Sequence, residues 1–158
     1  MYEWSEKGFI FCTNYDGDKA TQISQNPKAA ICFQWQAIDK QVRICGTVSK
    51  VTPEETERLF RSCHRDSQIV FWATSEGKDH CYNQSNVMVN TREERIKYMD
   101  EKMKIYRYND ELVPVPKRWG GFILAPHLME FTNVASLYAE RTRYTLVDEK
   151  WKFERIAP

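Results

Sequence analysis

The sequence contains no apolar stretch that approaches the length of a membrane-spanning helix. It also has little net charge, since 23 Lys and Arg stand against 22 Asp and Glu, which gives a formal charge of +1. This balance excludes the broad electrostatic field that a non-specific nucleic-acid or membrane-surface binder needs, so any anion site must be local. The first residues, MYEWSEKGF, resemble neither a signal peptide nor a basic transit segment. We therefore expect a soluble, cytoplasmic protein that binds neither nucleic acid nor membrane.

Cysteines at disulfide-like or metal-binding spacings are also lacking. The chain has an odd number of them at wide intervals: Cys12, Cys32, Cys45, Cys63 and Cys81. Three lie in apolar, strand-like runs, which predicts reduced core residues. The pairs Cys63-His64 and His80-Cys81 lack the gap of two to four residues that lets one loop turn two side chains onto one ion. We predict no metal site.

Strand-like runs dominate the chain, which has no repeat or linker and suits a single domain. Gly8 to Asn14 alternates polar and apolar residues, Ala29 to Trp35 is nearly all apolar, and Gln41 to Val51 alternates around Gly46. These three runs predict one antiparallel meander, with a bulge or bend at Gly46.

Five further runs predict strands. They are Ile69 to Ala73, Phe122 to Leu124, Leu128 to Phe131, Tyr144 to Val147 and Trp151 to Ile156. The last two flank a turn at residues 148–150 and so predict a hairpin. A total of six to eight strands is enough to close a small barrel, so the predicted fold is mainly β with peripheral helices.

A corner precedes the predicted strand at Phe122. Pro114 and Pro116 force their predecessors into extended conformations, so no helix begins there. Gly120 and Gly121 permit backbone angles that other residues avoid, and Trp119 is expected to fill the corner. Pro126 is expected to end the strand that follows.

Three helices are predicted between the strands. Thr52, Pro53 and Glu55 form a capping box, which predicts a helix from Pro53 to about Cys63. Thr91 and Glu94 repeat that pattern before an apolar stripe at helical spacing, formed by Ile96, Met99, Met103 and Tyr106. A shorter helix is predicted from Lys19 to Gln25, ended by Asn26-Pro27.

Eight short motifs follow one another along the chain. They are GFIFCTN (Gly8 to Asn14), NP (Asn26-Pro27), QVRICGTV (Gln41 to Val48), SQI (Ser67 to Ile69), QS (Gln84-Ser85), VPVPKRWGG (Val113 to Gly121), MEF (Met129 to Phe131) and WKFERIAP (Trp151 to Pro158). Each is weak alone. Together, and in this order, they resemble the pyridoxamine 5'-phosphate oxidase family over essentially the whole chain.

The resemblance implies an FMN-binding split β-barrel that forms a homodimer, with FMN in a cleft between the subunits. Residues 1–107 would form the barrel core and helices, and 108–158 the dimerisation segment of the same domain. It also implies oxidation of the 4'-carbon of pyridoxamine or pyridoxine 5'-phosphate. A hydride passes to the flavin and electrons then pass to O2, giving pyridoxal 5'-phosphate and hydrogen peroxide, while the protein binds and orients.

The resemblance further implies a set of FMN contacts, comprising Thr13, Lys19, Gln41, Gln84, Ser85 and Arg141. Lys19 would supply positive charge to the FMN phosphate. Asp18 stands where the family has an arginine, which places a negative charge near that phosphate and weakens the site. Thr132 stands where the family has a tryptophan, and the family's R-x-V-L-L-K segment aligns largely before Met1.

The positions that hold the substrate phosphate in the family carry Leu59, Cys63 and Ser67, so only Ser67 is kept. Arg61 lies two residues before Cys63 and, on a helix, points to nearly the opposite side. Arg65 lies past the predicted helix end and remains a candidate substitute. No catalytic residue is predicted.

The family's R-L-H-D-R motif corresponds to SLYAER at Ser136 to Arg141, without the substrate arginine and histidine. Losing two or three charge-assisted hydrogen bonds would weaken phosphate-ester binding by roughly a thousandfold or more. Three hypotheses stay open: an FMN-dependent oxidase with a rearranged pocket, a non-catalytic protein that binds flavin or vitamin B6, and a structural dimer without ligand. Turnover with added FMN distinguishes the first, and failure to take up flavin the third.

Overall fold

The computed structural model describes residues 2–75, 92–133 and 140–157. In chain order its elements are β1 (Tyr2–Ser5), β2 (Gly8–Asn14), α1 (Asp18–Gln25), β3 (Lys28–Trp35), β4 (Lys40–Lys50), α2 (Pro53–Arg61), α3 (Arg65–Ser75), α4 (Arg92–Arg107), β5 (Trp119–Asn133), β6 (Glu140–Val147) and β7 (Lys150–Ile156). None of these helices is long and apolar enough to cross a membrane. The predicted predominance of strands is confirmed.

The seven strands form one sheet with the order β1-β2-β5-β4-β3, and the β6–β7 hairpin extends it from β5. β3 and β4 are antiparallel neighbours, with Lys28 opposite Thr47 and Trp35 opposite Lys40. The predicted meander is therefore right for β3 and β4 but wrong for β2, because β5 lies between β2 and β4. Local patterns identify strands, whereas long-range pairing decides their order.

β5 continues through Pro126, although two separate strands were predicted there. The ladder with β6 begins at Leu128, which lies opposite Thr145, so Pro126 precedes it. Proline removes only its own N–H donor, and a strand can continue where that donor is not needed.

By internal contacts the chain divides into two compact units. The first comprises Phe11–Gln25 and Lys50–Phe122, and the second comprises Tyr2–Ile10, Asn26–Ser49 and Ile123–Pro158. The single-domain assignment stays a prediction.

Trp119 is central to the core of the first unit. It is buried with Phe60, Ile69 and Val113, stacks on Phe71 at 5.0 Å between ring centroids, and meets Phe60 edge-on at 5.5 Å. The prediction that Trp119 fills this region is confirmed.

Gly120 and Gly121 serve a different purpose from the one predicted. Neither has a positive φ, since both lie in the extended strand β5. A Cβ at Gly120 would collide with the Tyr15 ring, and one at Gly121 with the side chains of Val51 and Leu59. Glycine is required here for space rather than for unusual backbone angles.

The predicted strand at Ile69 to Ala73 is wrong, because these residues belong to helix α3. The run is rich in β-branched and aromatic residues, which favour strands. In the helix, Ile69 and Ala73 are four residues apart and both are buried, so they form one apolar face. Packing of this face outweighs the weak local preference.

The other helix predictions hold within the described residues. α2 begins as expected, with the Thr52 side chain accepting a hydrogen bond from the Glu55 N–H at 3.2 Å, and it ends at Arg61, two residues before Cys63. α1 begins at Asp18 rather than Lys19. In α4, Met103 and Tyr106 pack against the core as predicted, whereas Ile96 is exposed; Thr91 lies outside the described residues.

The hairpin between β6 and β7 is confirmed. Asp148 and Glu149 both adopt positive φ, at 50° and 61°, as in the two-residue turns that match the twist of paired strands.

The prediction of core cysteines is wrong for Cys32, which is exposed, while Cys12, Cys45 and Cys63 are half-buried; none of these four is in a disulfide. Cys81 lies outside the described residues.

Candidate functional site

A buried carboxylate organises the polar face of the second unit. Glu130, near the C-terminal end of β5, is only 2% exposed. Arg143 lies directly opposite it on β6, and Arg141 lies one step along the same face. Arg43 on β4 reaches Glu130 from the other side. Three positively charged side chains therefore converge on one negative charge.

The hydrogen bonds to Glu130 are divided between its two oxygens. Arg143 donates to Oε1 from Nε at 2.9 Å and from Nη2 at 2.7 Å. Arg141 donates to Oε2 from Nη2 at 2.9 Å, and Arg43 donates to the same oxygen from Nη1 at 3.3 Å. Charge-assisted bonds of this kind fix both the carboxylate and the guanidinium groups in place.

The environment of Glu130 has opposing effects on its pKa. Burial by itself raises the pKa, but the hydrogen bonds from Arg143, Arg141 and Arg43 more than offset it and lower the pKa to about 2. Glu130 is therefore ionised at neutral pH and acts as a fixed counter-ion.

Two predicted flavin contacts belong to this region. Gln41 lies two residues before Arg43 on β4, so the two share a face, and Arg141 is part of the cluster itself. Gln41 lines a pocket of about 250 Å³ with Thr132, Asn133 and Thr142. The structure thus groups Gln41 and Thr132 at a partly polar cavity and holds Arg141 through Glu130.

A second pocket, of about 360 Å³, lies in the same unit and is almost wholly apolar. It is lined by Glu3, Trp4, Phe9, Phe33, Trp35, Val42, Ile44, Met129 and Phe131. Met129 and Phe131 flank Glu130 on β5 and so point to the opposite face of the sheet. One face of these strands is charged, and the other is aromatic.

The remaining predicted site residues lie in the first unit or outside the described residues. Thr13 is half-buried on β2, Lys19 is exposed in the first turn of α1, and Ser67 is half-buried near the start of α3. Gln84 and Ser85 lie outside the described residues. Within the described part of the chain, no three His, Cys, Asp or Glu side chains are placed to hold a metal ion.

The residues around the predicted substrate-phosphate positions make internal contacts. Leu59 is completely buried, and the Cys63 thiol donates to the Leu59 carbonyl oxygen, with an Sγ–O distance of 3.2 Å. Burial raises the pKa of Cys63, which keeps the thiol protonated. Arg61 donates to the carbonyl of Val113 at 2.7 Å.

Arg65 is engaged with the main chain as well. Its Nη2 lies 2.8–2.9 Å from three carbonyl oxygens at and beyond the end of α4, those of Tyr106, Asn109 and Glu111. It therefore satisfies acceptors that the helix end leaves open. Arg65 therefore has a structural role at the end of α4, and its contact with a substrate phosphate stays a prediction.

Comparison with known proteins identifies the relatives of this chain. The family model described as pyridoxamine 5'-phosphate oxidase matches residues 1–104. The chain belongs to the pyridoxamine 5'-phosphate oxidase family. A pyridoxine/pyridoxamine 5'-phosphate oxidase of Synechocystis sp. is 34% identical over 97% of this chain and 67% of that protein. One from Christiangramia forsetii is 37% identical over 96% of this chain and 66% of that protein. The chain spans about two thirds of the length of these relatives.

Solved structures show the fold. PhzG from Burkholderia lata, in complex with tetrahydrophenazine-1-carboxylic acid, has a TM-score of 0.81 at 24% identity, covering 99% of this chain and 72% of that one. A pyridoxamine 5'-phosphate oxidase-related, FMN-binding protein from Nostoc punctiforme has a TM-score of 0.73 at 18% identity, covering 100% and 78%. The predicted split-barrel fold of the oxidase family is confirmed.

The sequence reasoning missed three members of the charged cluster, Arg43, Glu130 and Arg143. A usable signal was present, because Glu130 is a charged residue within the apolar run Leu128 to Phe131. Arg141 and Arg143 alternate on the following strand at the two-residue spacing of one sheet face. The oxidase motif MEF therefore contains a structural counter-ion between its two apolar residues.

Proposed function

We propose that this family member binds FMN and oxidises pyridoxamine or pyridoxine 5'-phosphate weakly or not at all. The observation that carries the proposal is the complete burial of Leu59. The resemblance places a phosphate-binding tyrosine of the family at this position, and an aliphatic side chain sealed in the core offers a phosphate no hydrogen bond.

The hydrogen bonds of the arginines next to Leu59 and Cys63 support the expectation of weak or absent oxidase activity. Arg61 and Arg65 are the positively charged side chains next to the lost positions, and both donate to main-chain carbonyls. Moving either to a phosphate would break a part-buried bond, to the carbonyl oxygen of Val113 or of Tyr106, and a buried acceptor left unsatisfied costs about 1–3 kcal/mol. Ser67 alone would then hold the substrate phosphate.

The flavin part of the proposal rests on the chemistry of the retained residues. Lys19 would attract the FMN phosphate, while Gln41 and Arg141 would contact the polar edge of the ring system. Thr13 would add a hydroxyl, and the resemblance assigns similar contacts to the pair Gln84-Ser85. When bound, the flavin would supply the hydride acceptor and its reoxidation by O2. Gln41 fits because it lines a partly polar pocket, and Arg141 because Glu130 holds it in place.

A homodimer is part of the same proposal. The second unit exposes several large apolar side chains, among them Trp4, Trp35, Phe131, Trp151 and Phe153. Exposed apolar surface of this extent is typical of an interaction site. The resemblance makes a second copy of the chain the expected partner, and light scattering on the purified protein would measure the mass directly.

The decisive experiment is the absorbance spectrum after incubation with FMN and gel filtration, followed by a turnover assay with pyridoxamine 5'-phosphate. The proposal expects a retained flavin spectrum and little hydrogen peroxide. Colourless protein would refute flavin binding, and peroxide formation at the rate of an ordinary family oxidase would refute the loss of the substrate site. The alternative of a ligand-free structural dimer predicts colourless protein that still has the mass of a dimer.

A further inference from the structure

The arginine cluster holds more positive charge than Glu130 can balance. Three guanidinium groups, those of Arg43, Arg141 and Arg143, surround one carboxylate, and three positive charges against one negative leave +2. Their bonds to Glu130 use four N–H donors, one from Arg43, one from Arg141 and two from Arg143. Since each guanidinium carries five donors, most of them remain for other acceptors. In a chain with a formal net charge of +1, this is a concentrated positive patch.

The cluster is also accessible and held in place. The side chains of Arg43, Arg141 and Arg143 are 48%, 33% and 34% exposed, whereas that of Glu130 is 3% exposed. The buried carboxylate of Glu130 thus holds the three guanidinium groups in place, while part of each arginine side chain stays exposed to solvent. A site whose donors are already fixed loses little conformational entropy when it binds a ligand.

The neighbouring acidic residue Glu154 offsets only part of this excess. Glu154 on β7 lies opposite Arg143 in the strand register, and its exposed carboxylate makes no ion pair with Arg143 among the described contacts. Thr132 lies opposite Arg141 and adds a hydroxyl group to the same face. The surface therefore combines guanidinium and hydroxyl donors, as expected for a site that receives an oxyanion.

We infer that this cluster binds an oxyanion, a carboxylate or phosphate group of the molecule that the protein's flavin would oxidise. The link to a flavin substrate rests on the proposed function, whereas anion binding itself does not. Arg61 and Arg65, near the predicted substrate-phosphate positions, donate to main-chain carbonyl oxygens, whereas Arg43, Arg141 and Arg143 share one carboxylate and keep a net positive charge. Anion recognition would therefore use the sheet face of the second unit.

Calorimetric titration of the flavin-free protein at low ionic strength tests the inference, with inorganic phosphate and benzoate as the probes. Arg43→Gln should weaken binding of at least one probe about tenfold, the loss expected for one charge-assisted hydrogen bond. Arg43→Lys should recover part of the affinity. Arg155→Gln is the matched control, since Arg155 is exposed on β7 and lies opposite Thr142, off the Glu130 face. Equal affinities for wild type and Arg43→Gln, or no binding of either probe, would overturn the proposal.

A gain of affinity provides a second test that misfolding cannot imitate. Glu154→Gln removes a negative charge beside Arg143 and should strengthen anion binding severalfold, whereas Glu149→Gln in the hairpin turn should not. An unchanged affinity in Glu154→Gln would count against the site.

A separate experiment distinguishes a substrate anion from the phosphate group of FMN. The affinities of FMN and riboflavin for wild type and Arg43→Gln are compared. Unchanged preference for FMN supports a substrate anion, while loss of FMN affinity with riboflavin unaffected would assign the cluster to the cofactor's phosphate and overturn the substrate assignment. Failure of wild type to bind either flavin contradicts the proposed function but leaves the anion titration interpretable.

Discussion

Replacing Glu130 by glutamine should destabilise the protein in a manner that depends on pH. The substitution keeps the shape of the side chain but removes the only negative charge that the three arginines share in the described contacts. The pKa of Glu130 falls from 4.5 to about 2 on folding, which corresponds to about 3 kcal/mol of stabilisation at neutral pH. Breaking a buried ion pair by removing one partner costs a similar amount, about 3–5 kcal/mol.

The direction of the pH dependence follows from the lowered pKa. Because the folded protein holds the Glu130 proton less tightly than the unfolded chain, the stabilisation is fully present above pH 4.5 and is lost as the pH falls toward 2. The difference in unfolding free energy between wild type and Glu130→Gln should therefore shrink from about 3 kcal/mol at pH 7 to about half that at pH 3.

Urea unfolding at pH 7 and pH 3 measures this difference. Glu57→Gln is the matched control, because Glu57 also pairs with an arginine, Arg61, at 3.6 Å, but is 62% exposed. An exposed pair contributes about 0.5 kcal/mol or less. A penalty for Glu130→Gln that does not exceed the control, or that stays the same at both pH values, would refute the assignment of Glu130 as a buried counter-ion.

Three further predictions follow from the first unit. Leu59→Ala should lower the unfolding free energy by about 3 kcal/mol in urea, because a fully buried leucine leaves a cavity; a loss below about 1 kcal/mol would contradict its place in the core. Thr52→Ala removes the cap of α2 and should cost about 1 kcal/mol, with Thr52→Ser as the control that keeps the hydroxyl. Asp18→Asn removes a negative charge beside Lys19 and should tighten FMN binding severalfold without changing riboflavin affinity, both followed by flavin fluorescence. Equal changes for the two flavins would show that Asp18 acts on something other than the phosphate.

Strong local signals allowed much of the fold to be predicted. The capping box at Thr52 and Glu55 located the start of α2, and alternation of apolar residues located most strands. The prediction for Ile69 to Ala73 was wrong because the local composition favours a strand, whereas packing of the buried face stabilises helix α3. The predicted order of the strands was wrong for a related reason. β5 pairs with β2 and β4, which are distant in sequence, and local patterns carry no information on such pairing.

The site was harder to predict than the fold. Arg141 was singled out only through the resemblance, and its bond to Glu130 depends on the register between β5 and β6. A register shifted by one residue would turn every side chain of β6 to the other face and place Thr142 beside Glu130 in place of the arginines. Alternating arginines on a strand can be read from sequence, but the partner that holds them cannot.

The two units therefore use their arginines in opposite ways. In the first, Arg61 and Arg65 satisfy main-chain carbonyls and are bound before any ligand arrives. In the second, one carboxylate holds three arginines without neutralising them, so positive charge remains on a half-exposed surface. If Leu59 and Cys63 stand at the phosphate-binding positions of the family, we expect that arginine at Cys63 alone would not rebuild that site, because Leu59 is completely buried. Acids with and without a phosphate group should therefore be screened together, because the guanidinium donors of the second unit suit a carboxylate as well as a phosphate.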